Sequence, residues 1–300
     1  MSRQTTLNIS AGSASVAVAA VLVGLKLWAL AETGALSVAA SLADSAMDLM
    51  VSAAGLAALI YAAKPADEDH AFGHSSAEDL AALGQSVFIM VSAGVIAFAA
   101  GARLLSDTPM ELRAEGRGIV VMAVSIALTI ALVLWQRRVA ARTGSRVVRA
   151  DSLHYLGDLV PNVGAIVSLL VSAQWGLTQI DSVVALGAAA MLALGALGIF
   201  RGAWNALMDR TADPELVEAI AEIARDWPGV RGFHDLKTRT AGARVFVNIH
   251  IELDGDQTLR QAHDIGAGLR RKIIETFPQT DVIVHKDVAY AVEASSIGGE

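Results

Sequence analysis

Asp44 and Asp48 sit in Ser41-Leu-Ala-Asp-Ser-Ala-Met-Asp48, and His154 and Asp158 sit in His154-Tyr-Leu-Gly-Asp158. Each pair is spaced i, i+4, which on a helix places both side chains on one face, one turn apart. If the two helices run antiparallel, Asp44 comes level with Asp158 and Asp48 with His154. Three carboxylates and one imidazole around a common point form an O3N set suited to a divalent first-row metal. Both pairs lie within long apolar runs, where ionisable groups are expensive and mark ion pathways by default. The bland alternative is that each acid neutralises a basic partner. The one Lys in these apolar runs is Lys26, near the outer end of the first, where it can snorkel to the interface. One Lys cannot balance three acids. Asp151 shares the His154/Asp158 stripe at i, i+3, i+7; it can line an access path or simply start a helix beside Arg149.

The elements that hold these residues are hydrophobic. Apolar residues make up 54% of the 300-residue chain, and mean hydropathy is +0.51. Six runs are long enough to cross a bilayer, which takes about 20 residues: Ala11 to Leu30, Ala35 to Ala62, Leu80 to Ala102, Gly118 to Trp135, Val147 to Val171 and Ser182 to Phe200. The first carries no cleavage pattern and reads as a retained helix. Pro161 should kink the fifth and free a carbonyl near Gly157. The connection from Gln136 to Arg149 carries five Arg and no acid, whereas the links after runs one and five carry no Lys or Arg. The positive-inside bias therefore places that loop and both termini in the cytoplasm, with Arg103, Arg113 and Arg117 opposing it weakly.

Cysteine is absent, which removes disulfides, thiolate zinc sites and iron–sulfur clusters together. Any transition metal must be held by His, Asp, Glu or carbonyl oxygen. The net charge is −7, and neither part of the chain has the basic patch that nucleic acid needs.

After Phe200 the composition changes. Asp213-Pro214-Glu215 opens an amphipathic helix to about Asp226, with Pro at an early helical position. Strand-like runs Gly232–Arg239 and Arg244–Leu253 follow, then a helix from about Thr258 to Thr276 and a strand Asp281–Val288. The expected organisation is a six-helix transmembrane domain over residues 1–207 and a small cytoplasmic α+β domain (α-β-β-α-β, ferredoxin-like) over 208–293. Residues 294–300 read as a disordered tail. In the second strand Val245, Val247, Ile249 and Ile251 share one face, leaving His250 on the other; in the last, Ile283, His285 and Asp287 share a face. Taken singly, each tail histidine reads equally well as an ordinary surface imidazole. His70 and His74 in the acidic link between helices two and three are likewise compatible with a solvated loop.

Asp-xxx-Asp on helix two and His-xxx-Asp on helix five, in six helices with an α-β-β-α-β tail, resemble the cation diffusion facilitator family, and especially its bacterial zinc/proton antiporters. The likeness runs from about residue 8 to 290 and includes His70-Ala-Phe-Gly-His74, Gly232-Phe-His-Asp235, Gln261-Ala-His263 and Val284-His285-Lys-Asp287. The resemblance implies a second zinc site through Asp67, His70 and His74. It also implies a zinc centre at the contact between the tails of a homodimer, through His234, His250, His263, His285 and Asp287. One departure concerns Ser76, which stands where relatives often carry a Lys that pairs across the dimer with an acid near the end of helix six. The matching acid, Asp209, is present.

The expectation is a transporter and not an enzyme, lying as a homodimer in the bacterial inner membrane. It would export Zn²⁺ by alternating access in exchange for protons, with tail zinc as a regulatory ligand. One imidazole among three carboxylates favours Zn²⁺ over Mn²⁺ or Mg²⁺ and leaves Cd²⁺, Fe²⁺, Co²⁺ and Ni²⁺ open. Two other classes remain. A non-transporting structural homologue would have no use for an intact intramembrane quartet. A proton-coupled transporter of another cation would have no use for histidine clusters in two cytoplasmic places.

Overall fold

The computed structural model describes residues 3–33, 36–105, 116–159 and 180–289; side chains are described throughout these except at 29–30, 32–33, 36–41, 43–44, 103, 116–123 and 180–181. Pro161 and residues 294–300 lie outside the described residues. The chain forms two compact units, Met1–Leu207 and Met208–Glu300.

The first unit is helical: α1 (Arg3–Thr33), α2 (Leu36–Ala62), α3 (Ser76–Leu104), α4 (Gly116–Thr143), α5 (residues 146–159) and α6 (Ile180–Leu207). Among the described residues, five of these (α1, α2, α3, α4 and α6) contain stretches long and apolar enough to cross a membrane. The described part of α5 covers less than a span. α1 packs on α2 and α4, and α3 packs on α6 and α2. Small residues permit these approaches, as is usual between membrane helices. The Leu153 side chain of α5 sits where a β-carbon on Gly195 of α6 would be, 2.8 Å from its Cδ2. Ile89 and Ala93 of α3 bury against Leu192 and Ala196 of α6. Val147, Val148 and Ala150 of α5 join Ala11, Leu59, Ala82, Val139 and Ile199 in a second buried cluster. These contacts hold α5 among the other helices and fix which of its faces meets α2.

The second unit is α+β: α7 (Pro214–Arg225), β1 (Gly232–Ala241), β2 (Arg244–Leu253), α8 (Leu259–Thr276) and β3 (Thr280–Val288). Asp213 caps α7 by accepting the Glu215 amide, with Pro at the first turn. Thr258 and Gln261 close a reciprocal capping box on α8, a feature typically worth about 1 kcal/mol. β1 and β2 form an antiparallel hairpin, and α8 crosses over to lay β3 parallel to β2, giving the order β1-β2-β3. Val245, Val247, Ile249, Ile251 and Leu253 bury against Ile220 and Ala224 of α7 and Leu269 and Ile273 of α8. Both helices therefore cover one face of the sheet, and alternation sends His250 to the other.

Candidate metal centres

In the membrane unit, α2 and α5 run antiparallel, and their facing residues match in steps of one turn. Ser52 donates to Asp151, and one turn along His154 Nε2 lies 3.1 Å from Asp48 Oδ1. Asp158 joins them: ligand atoms of Asp48, His154 and Asp158 all lie within 4.8 Å of one another. The side chain of Asp44 lies outside the described residues. His154 is 92% buried, yet its Nε2 makes no hydrogen bond among the described residues. His154 Nε2 and Asp48 Oδ1 are both within reach of a common cation. Phe88 and Tyr155 flank the ring at centroid distances of 5.7 and 5.6 Å.

Around this set lies a polar network. Asp151, buried, accepts from Gln136 Nε2 and Ser52 Oγ. Ser15 donates to Ser52, and the Tyr155 hydroxyl reaches Ser52 at 3.0 Å. Of the two sequence readings of Asp151, the helix-start one loses its basis: the carboxylate is held by α2 and α4 side chains inside the bundle. Ser52, Gln136 and Tyr155 were not singled out from the sequence, although Ser52 continues the Asp44/Asp48 stripe by one further turn. Lys26 also departs from expectation. Its Nζ donates to Ser45 Oγ at 2.6 Å, and it lines a cleft with Asp48, Ser125, Thr129, Tyr155 and Asp158.

In the link between α2 and α3, Asp67, His70 and His74 converge with ligand atoms within 4.8 Å. The turn is fixed by the His70 amide donating to Asp67 Oδ1 and by Gly73, whose φ of +81° glycine tolerates without strain. His74 is buried, and its Nδ1 faces the Pro65 carbonyl at 3.2 Å. That carbonyl can only accept, so Nδ1 carries the proton. The His74 Nε2 lies 3.2 Å from Asp67 Oδ2, so a metal ion or a shared proton fits between them. Partial desolvation pushes the Asp67 carboxyl up. The His70 amide and ring together with the charges of His74 and His70 outweigh it and hold the group below its ordinary value.

In the tail, His234, His250 and His285 stand side by side on β1, β2 and β3, as direct register partners. Their ring centroids are 5.2 and 4.5 Å apart. Asp287 reaches all three: Oδ2 lies 2.9 Å from His250 Nδ1 and 3.4 Å from His234 Nε2, and Oδ1 lies 3.2 Å from His285 Nε2. The hydrogen bond from His250 and the charges of His285, His250 and His234 hold the Asp287 carboxyl below its ordinary value, against a smaller upward push from desolvation. His234 Nδ1 also meets Glu252 Oε1 at 2.9 Å. Glu252 has room because position 232 is Gly, where a β-carbon would lie 2.8 Å from Glu252 Oε2. The structure does not bring His263 to this cluster. It is exposed on α8, which covers the apolar face of the sheet, while the three strand histidines occupy the opposite face. Asp209, whose usual Lys partner across a dimer is replaced by Ser76 in this sequence, pairs with Arg239 of its own tail at 3.3 Å.

A tetrahedral Zn²⁺ with bonds of about 2.0 Å holds its ligands about 3.3 Å apart; the trios Asp67/His70/His74, His234/His250/Asp287 and Asp48/His154/Asp158, whose ligand atoms lie within 4.8 Å of one another, would contract by at most about 1.5 Å to hold one.

Two family models match the chain: the cation efflux transmembrane domain over residues 13–208, and the cation efflux protein cytoplasmic domain over residues 212–288. The cation-efflux pump FieF of Shewanella oneidensis is 43% identical over 277 residues, 92% of this chain and 93% of its own length. FieF of Klebsiella pneumoniae is 40% identical over 288 residues, 96% of this chain and 95% of its own. Among solved structures, one described as the zinc form of the transporter CzrB is 32% identical, covering 27% of this chain and 93% of its own at a TM-score of 0.26. The two family models together span nearly the whole sequence, one over the unit of apolar helices and the other over the small α+β unit. The chain is an integral membrane protein of the cation diffusion facilitator family, a divalent-metal-cation efflux transporter and not an enzyme.

Proposed function

We propose that this protein exports Zn²⁺ from the cytoplasm in exchange for protons, as a homodimer that alternates access to one transport site per protomer. Asp44, Asp48, His154 and Asp158 are the ligands. The observation that carries this reading is the convergence of Asp48, His154 and Asp158, whose ligand atoms lie within 4.8 Å of one another, with the His154 ring buried. The neutral imidazole and the carboxylates hold metal only when deprotonated, so protons arriving from outside and metal leaving are linked. The reading takes residues 1–207 as the membrane domain of a bacterial inner-membrane protein with both termini in the cytoplasm. It takes residues 208–293 as the cytoplasmic domain that dimerises and binds metal.

The loop set of Asp67, His70 and His74 is half-exposed at two of its three ligands, which suits rapid capture and delivery of zinc more than permanent retention. The tail set of His234, His250, His285 and Asp287 lies on the sheet face opposite α7 and α8, which no helix among the described residues of its unit covers. Zinc there would bias two tails together and so favour one conformation of the membrane domains. His263 enters this site only if a second protomer supplies it.

The experiment is a panel of Zn²⁺, Cd²⁺, Fe²⁺, Co²⁺, Ni²⁺ and Mn²⁺ in proteoliposomes with an imposed pH gradient. Zn²⁺ flux that rises with the gradient supports the proposal. Flux insensitive to the gradient overturns proton exchange, and a preference for Mn²⁺ overturns the metal assignment.

A further inference from the structure

Lys26 is seven residues before the end of α1, and Ser45 is nine residues after the start of α2. At 1.5 Å per residue these are about 10 and 13 Å from the outer helix ends. The 2.6 Å bond from Lys26 Nζ to Ser45 Oγ therefore joins the two antiparallel helices at one depth. Ser45 precedes Asp48 by three residues, so it lies on the same side of α2, one turn farther out. Ser45 is itself buried. A Lys at this position can extend its four-carbon stem outward and keep its ammonium in the interface. Here the stem turns inward instead, and the ammonium stands in the cleft that Asp48 and Asp158 line.

A positive charge in that place changes what the site does. Carboxylates crowded around one point attract a divalent ion strongly in a low-dielectric interior, and an ion held too strongly is not released. After release, the same carboxylates repel one another. A cation tied to the wall of the site acts on both steps: it weakens the hold on the metal and shares the negative charge left behind.

We propose that Lys26 is a tethered cation of the transport site, held on Ser45 beside the carboxylates, where it shares their negative charge, weakens their hold on the metal and thereby speeds metal release. The proposal rests on the reading of Asp48, His154 and Asp158 as transport ligands. It assigns to α1 a part in metal affinity and turnover. A fixed charge acts on a divalent ion through electrostatics alone, so its effect is on affinity and release and not on the geometry of the ligand set.

The test compares wild type, Lys26→Met, Lys26→Arg and Asp48→Ala by Zn²⁺ flux in proteoliposomes over a range of Zn²⁺ concentrations. Lys26→Met should lower the half-saturating Zn²⁺ concentration about tenfold and reduce the maximal rate, because release becomes harder once the competing charge is gone. Lys26→Arg, which keeps the charge, should lie nearer wild type than Lys26→Met in both quantities. A loss of packing alone would move neither quantity in that pattern. An unchanged or raised half-saturating concentration in Lys26→Met, in protein matching wild type by gel filtration and thermal unfolding, overturns the proposal. If Lys26→Met does not fold, Lys26→Gln removes the charge while keeping a donor for Ser45 and gives the same comparison. Flux retained in Asp48→Ala overturns the underlying site instead, independently of what Lys26 does.

Discussion

His250 on β2 and His285 on β3 are register partners across two parallel strands, with ring centroids 4.5 Å apart and Asp287 bonded to one and paired with the other. The register sets the two imidazoles side by side, tilted by 36°, with Asp287 against both. A fragment beginning near Asp209, which contains the whole core of this unit, should bind Zn²⁺ and become more dimeric or more compact as it does. His250→Ala with His285→Ala should remove most of that response. Calorimetry together with sedimentation is the measurement, and an intact fragment that binds no zinc would end the regulatory reading.

In the membrane domain, Asp48→Ala deletes a ligand and also relieves crowding among carboxylates. Metal flux should fall to background while the purified protein stays folded and dimeric. Flux near the wild-type rate in the same vesicles would rule Asp48 out as a transport ligand.

His154→Asp makes the set all-oxygen and removes its one borderline-soft ligand. Mn²⁺ flux should rise relative to Zn²⁺, and the dependence of flux on external pH should change with it. Zinc and manganese flux at several external pH values, wild type against variant, decides the matter. An unchanged metal ratio with an unchanged pH profile means that His154 neither selects the ion nor carries the exchanged proton.

The acid limb of tail stability has a predictable sign. The Asp287 carboxyl sits below its ordinary value of 3.8 because His250 donates to it and the neighbouring imidazoles add positive charge. Asp254 sits below it through the Asp256 amide and Arg231. A carboxyl lowered by folding contributes stability that is fully present above its unfolded value and is lost as the pH falls through the folded one. In the presence of a chelator, the melting temperature of the fragment should therefore drop as the pH is taken below about 4. Asp254→Asn should lower it at neutral pH and flatten that acid drop. A variant whose melting curve tracks wild type at every pH would show that the Arg231 pair contributes nothing to folding.

Much of this protein was legible in its sequence because the strongest signals are periodic. Apolar runs longer than a bilayer is thick admit only helices, since backbone polar groups in lipid must be satisfied within the segment. The alternation of Val245, Val247, Ile249 and Ile251 set the buried face of β2, and Asp213-Pro214-Glu215 marked a helix start by its early Pro. Spacing also placed Asp48 with Asp44, and His154 with Asp158, on single helix faces. What spacing could not reach was the relation between elements. Lys26 was expected to snorkel, because its own helix offers no reason for it to do otherwise; the inward turn depends on Ser45 standing at the same depth on a neighbouring helix. His263 carries the same side chain as His250 but stands apart from it, because α8 packs on the sheet face opposite the histidine row. Asp209 finds Arg239 across the fold of its own tail, a partner 30 residues away in sequence. Local periodicity is written into each segment by the geometry of one helix or strand. Which long side chains meet is decided only when packed elements fix depth and facing, and there the tertiary structure alone selects the partner.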